Sequence, residues 1–221
     1  MKKIYFFLLA LFAFASCAKE VSIPQNATPV KEEAGIYPDY RDITIPPNIA
    51  PLNFQVTAKG DNFVGVIQGQ GVQLVAGGNE DGKLFLDSTE WRKLLTANKG
   101  RDLSVELYAE RNGQWVSFPK YVIHVAKEPI DKYLSYRLIE PSYELYRQLG
   151  IYQRDLENFE QTPIYENNRT FDEKENHCIN CHNYQAYDTK RMLFHVRAIH
   201  GGTMLIENGK IEKLNMKTDS T

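Results

Sequence analysis

From Leu52 to Val125 the chain is built of short runs in which apolar residues recur at period two, the spacing of a half-buried strand. Leu52-Asn53-Phe54-Gln55-Val56, Phe63-Val64-Gly65-Val66-Ile67 and Val72-Gln73-Leu74-Val75 come first. Asp102 to Tyr108, Trp115-Val116-Ser117-Phe118 and Tyr121 to Val125 follow. Gly60-Asp61-Asn62, Gly77-Gly78-Asn79 and Arg111-Asn112-Gly113 separate them with turn residues, so hairpins are the natural connections. One helix interrupts the series. Asp87-Ser88-Thr89 can cap a segment Glu90 to Ala97 in which Trp91, Leu94 and Leu95 share a face, and Gly100 ends it. The expected fold class is therefore mainly β, with a β-sandwich-like domain over 37–128 that contains one helix.

The pattern changes over 129–190, which reads as a short helical connector and a small cytochrome c-type haem segment. Leu134 to Leu138 predicts one more strand. Pro141 can open a helix through Tyr143, Leu145, Tyr146 and Leu149 to Gly150, and Arg154 to Glu160 predicts a second helical turn. Over 191–221 alternation returns. Met192-Leu193-Phe194-His195-Val196-Arg197 precedes Gly201-Gly202, and Thr203 to Glu207 and Lys210 to Leu214 flank Asn208-Gly209, a strong hairpin signal. Nothing after this hairpin would cover its faces or edge. The expectation is that the chain is the front of a longer protein or packs on a partner.

The N-terminus has a pattern of its own. Met1-Lys2-Lys3 is basic and Ile4 to Ala15 is unbroken apolar, too short to span a membrane and fitting an export signal. Phe14-Ala15-Ser16-Cys17 places small residues before a cysteine and resembles a bacterial lipobox. That likeness implies a lipoprotein signal over 1–17 with lipidation at Cys17. At about 0.8 kcal/mol per buried methylene, several acyl chains anchor a domain durably. The expected place is the cell envelope, at the periplasmic face or the outer membrane. Residues 18–36, polar and proline-containing, read as a tether.

Composition adds little beyond exclusions. The chain is 43% apolar and 24% charged with a formal net charge of −2, which gives no reason to expect nucleic acid as a partner. Tyr 13 and Phe 11 favour a β-rich core.

The candidate chemistry lies in Cys178-Ile179-Asn180-Cys181-His182, which spells C-x-x-C-H. Two thiols at this spacing can add to the two vinyl groups on one edge of a porphyrin. The adjacent histidine then gives its imidazole to iron. One covalent haem c is the expected cofactor, held by Cys178, Cys181 and His182, with His182 as metal ligand. Of the chain's three cysteines, one goes to lipid and two to haem. Haem c attachment and an export signal belong to the same oxidising compartment. The expected role is one-electron transfer without catalysis, to a redox partner that the residues do not name. A binding module with a structural haem and a haem peroxidase or ligand sensor are the alternatives.

The second axial ligand has several candidates. His200, beside Gly201-Gly202 where a flat ring can approach, leads, followed by His195 and Met192; Met204 and His177 fit less well. Arg191 and Arg197 could pair with haem propionates. The rival to haem is zinc, since Cys178, Cys181, His195 and His200 have the spacing of a Cys2His2 site. Against it, the histidine pair falls in a strand pattern and His182 has no role there.

Several segments together resemble a known group. They are Ile123 to Val125, Tyr136-Arg137-Leu138-Ile139-Glu140-Pro141, Gly150 to Leu156, Cys178 to Asn183, Met192 to Arg197 and His200-Gly201-Gly202-Thr203. These look like exported Bacteroidetes lipoproteins in which a haem-c segment precedes a TolB-like, six-bladed β-propeller. The resemblance covers most of the chain from Tyr37 on. It implies that Met192 to Leu214 begins the first blade and that this chain ends within it. It brings no defined substrate.

Overall fold

The computed structural model describes residues 21–139, 149–167 and 178–216. The export signal with Cys17, most of the helix expected after Pro141, and His177 lie outside them. The described residues are mainly β, with seventeen strands, one α-helix and several sheets.

The largest sheet has seven strands and is organised on β8 (Asp102–Arg111). One edge of β8 pairs with β5 (Asn62–Gly69), which pairs onward with β6 (Val72–Gly78). The other edge is divided. β10 (Tyr121–Val125) runs along the first half of β8 and β9 (Gln114–Ser117) along the second. Pro119, which has no N–H to give a ladder, stands in the break between β9 and β10. β3 (Ile43–Ile45) and β1 (Thr28–Pro29) lie outside them in parallel pairing. The β8–β9 turn is Asn112-Gly113, both at positive φ, as the sequence predicts.

A small sheet of β2 (Ile36–Tyr37), β4 (Phe54–Val56) and β7 (Lys83–Leu84) shares one core with the large sheet and with α1 (Ser88–Ala97). Ile36, Phe54, Val56 and Leu84 meet Phe63, Ile67, Leu103, Val105, Leu107 and Ile123. Trp91, Leu94 and Leu95 fill the same space from α1. Each fully buried side chain of this kind contributes roughly 1.5–3 kcal/mol. The start of α1 matches expectation, with the Asp87 carboxylate accepting from the N–H groups of Thr89 and Glu90 at 2.9 Å.

Two expectations are corrected. Residues 21–36 do not hang free as the latter part of a tether. Ile23 and Ala27 pack on Val64, Val66 and Tyr108, apolar residues on the far face of the large sheet that would otherwise face water. β1 pairs with β9, and Glu32 meets Arg111 at 2.7 Å. The second correction is at Arg154 to Glu160, which is the end of a strand and a turn. The Asp155 carboxylate accepts from the Glu157 N–H at 2.8 Å and from Asn158 Nδ2 at 2.9 Å, an arrangement that competes with helix.

Two further sheets follow. β11 (Tyr133–Leu138), β12 (Gly150–Asp155) and β13 (Gln161–Glu166) form an antiparallel three-stranded sheet. β14 (Cys178–Tyr184), β15 (Arg191–Arg197), β16 (Gly202–Glu207) and β17 (Lys210–Leu214) form a four-stranded antiparallel meander. Asn208-Gly209 makes its last turn at positive φ. The two sheets pack through Leu149 and Ile151 on one side and Ile179, Met192, Phe194 and Val196 on the other. The rings of Tyr165 and Phe194 meet at 5.9 Å.

Candidate haem-attachment site

Cys178, Cys181 and His182 all lie on β14, which among the described residues is an edge strand bonded on one side to β15. In a regular strand, residues three apart point to opposite faces, so a C-x-x-C pair would be split across the sheet. This strand is not regular. Cys178 pairs with Arg197 and Ile179 with Val196, but His182 pairs with Phe194, so two residues of β14 stand against His195 alone. That is a β-bulge.

The bulge decides which way the thiols face. Val196 and Phe194 are buried, so their partners Ile179 and His182 lie on the inward face. Cys178 and Cys181 therefore both belong to the outward face, the face of Arg197 and His195. One inserted residue sets both cysteines in register with the same face, although Cys178 also touches the apolar cluster between the sheets. Neither cysteine is in a disulfide; Cys178 is half-buried at the margin of the apolar cluster and Cys181 is exposed.

His182, facing inward, lines a groove of about 1160 Å³ between the two sheets, above the ~300–1,000 Å³ common for ligand sites. Lys132, Tyr133, Ser135, Gln153 and Tyr184 line it too. The Tyr184 hydroxyl and Ser135 Oγ are hydrogen-bonded at 2.7 Å, which ties β14 to β11. At the rim, Ala186 and Tyr187 in the β14–β15 turn both have left-handed backbones, with φ 48° and 63°, and Tyr187 is exposed. Such conformations cost non-glycine residues of order 1–3 kcal/mol each.

The other expected ligands are dispersed. His195 is exposed on the outward face, its Nδ1 3.3 Å from Thr203 Oγ1, and it lines a second hollow of about 910 Å³ with Arg197 and Lys213. His200 stands in the exposed turn Ala198–His200, beyond the end of β15. Met192 is buried against the opposing sheet, opposite Tyr184 and Ile206, and acts as a packing residue rather than an available thioether. Met204 packs against the same cluster. Arg191 is engaged by Glu207 at 2.9 Å. Among the described residues no three of His, Cys, Asp or Glu gather closely enough to hold a metal ion, so the four residues of the zinc alternative are not assembled.

The fit to a c-type haem is thus divided. The thiol pair suits two thioether bonds, being unpaired, on one face and at a sheet edge. His182 is turned to the other face of the same strand. Comparison with known proteins adds no relative: no family model matches the chain, and no curated protein matches it. The bulge and the groove lining of Tyr133, Ser135 and Tyr184 escape sequence reasoning. The only trace of the bulge is that Cys-Ile-Asn-Cys-His-Asn-Tyr does not alternate.

Proposed function

We propose that this chain is a cell-envelope lipoprotein that carries one haem c on Cys178 and Cys181 and uses it for electron transfer. The observation that carries the reading is the bulge in β14, which turns two unpaired thiols at C-x-x-C spacing to one face of an edge strand. An iron porphyrin bound there would supply one-electron chemistry. The chain's own part is to fix the thioether edge and to present imidazole; the motif offers His182, which would have to turn from the opposite face of β14 to serve. Acylation at Cys17 would hold the domain at the membrane, facing a redox partner protein. In this reading the first two sheets form a sandwich-like positioning module, and β14 to β17 begin a propeller blade.

The test is direct. The full chain, exported together with haem-maturation machinery, should give a pyridine haemochrome spectrum of the two-thioether type at one haem per chain. The peptide containing Cys178 and Cys181 should carry the mass of haem, and Cys178→Ala with Cys181→Ala should abolish it. Correctly exported, folded protein with no adduct on that peptide ends the proposal.

A further inference from the structure

We propose that His195 is an iron ligand of the haem carried by Cys178 and Cys181, an inference that rests on the reading above. Cys178 and Cys181 lie outward on β14, and the residue of β15 that the bulge spans is His195, whose neighbours Phe194 and Val196 are buried on the other side. His195 is therefore the imidazole that shares the thiols' face and stands next to Cys181 across the strands.

One ring nitrogen of His195 has an oxygen partner, as in many metal-ligating histidines. Such residues usually give one ring N–H to an oxygen, which fixes the ring and leaves the other nitrogen free for the metal. Here Nδ1 lies 3.3 Å from Thr203 Oγ1 on the neighbouring strand β16, and no described residue is bonded to Nε2. By contrast, His124 on β10 has both ring nitrogens occupied by carboxylates, Asp102 at 2.7 Å and Asp42 at 3.0 Å.

The scaffold favours His195 over His200. β15 is bonded on both sides, by β14 and β16, so the His195 backbone is fixed. His200 is at the end of a turn whose Ala198 has φ 67°. That turn begins directly after Arg197, the partner of Cys178, so it is the fixed backbone rather than distance that favours His195.

The experiment compares the exported full chain with His195→Ala, His200→Ala and His182→Ala, with haem content and iron spin state read separately. In the wild type we expect a low-spin ferric spectrum by absorption and electron paramagnetic resonance. His195→Ala should keep at least about half of the wild-type covalent haem yet turn high-spin, and added imidazole should restore the low-spin form. His200→Ala should leave the spectrum unchanged. His195→Gln, at the same exposed position, is read in the same way should the alanine variant fail to accumulate. A low-spin spectrum unaltered in His195→Ala, a wild type already high-spin, or loss of the low-spin form in His200→Ala and His182→Ala alone each overturn the assignment. Wild-type chain without covalent haem sinks the underlying reading instead, and the haemochrome measurement tells the two failures apart.

Discussion

Asn98 shows how one polar side chain can hold a helix to a sheet. It has no exposed surface, and it follows the last turn of α1. Its Oδ1 accepts from the Gln70 N–H at 2.7 Å, and its Nδ2 donates to the Leu94 carbonyl at 2.8 Å. Gly69 makes room for it, since a Cβ there would come within 2.3 Å of Asn98 Nδ2. Asn98→Ala leaves the Gln70 N–H without its partner and should cost about 1–3 kcal/mol. Urea unfolding should show a lower midpoint at unchanged slope; an unchanged midpoint would mean that water replaces the amide. The opposite end of the same helix was readable, because Asp87 before Glu90 is a local capping signal. Asn98 was not, because its partner on the β5–β6 turn is far away in sequence. The C-x-x-C-H residues divide in the same way: their identity is local, whereas their facing depends on β15.

At the scale of elements, β10 depends on a histidine that bridges two carboxylates. His124 joins Asp42, just before β3, and Asp102, at the start of β8. The hydrogen bond to Asp42 and then that to Asp102 raise its pKa above the ordinary imidazole value, against a smaller opposing effect of desolvation. A raised folded-state pKa stabilises the fold fully below about pH 6.5, the unfolded value, and the gain is lost as pH rises through the raised value. The wild type should therefore exceed His124→Gln in melting temperature at pH 5.5 by more than it does at pH 8.5. An equal margin at both values would show that the charge of the bridge does not matter. β8, β10 and β15 to β17 were legible as elements because period-two alternation and Asn-Gly turns are local signals. β14 was not, since the bulge breaks its alternation. β13 was obscured by Pro163 and by the register shift beside Ile151 and Tyr152. β1, β2 and β7, two residues each, exist only through their tertiary partners.

On the scale of the whole molecule, the sheets that carry the thiols are joined to the large core through a small polar junction. Asn48 Nδ2 donates to the Ile130 carbonyl at 2.9 Å and to Glu157 Oε1 at 3.0 Å, while its Oδ1 accepts from the Ile130 N–H at 3.0 Å. The Ala50 N–H donates to the Leu156 carbonyl at 2.8 Å, and Arg92 of α1 to that of Glu157 at 3.0 Å. The turn after β12 is thereby seated on the N-terminal core, and Asp155, buried and bonded within that turn, gives it rigidity. A junction made of so few bonds transmits cooperativity only while they are intact. Asn48→Ala removes three of them and should cost about 1–3 kcal/mol, concentrated on the second half. Both tryptophans, Trp91 and Trp115, belong to the first half, so their fluorescence reports it alone. Hydrogen exchange in β11 to β17 reports the other. In the wild type the two signals should be lost together in urea, whereas in Asn48→Ala the second half should exchange at lower urea than the fluorescence change. Coincident transitions in the variant would show that the bonds made by Ala50 and Arg92, rather than those of Asn48, carry the coupling.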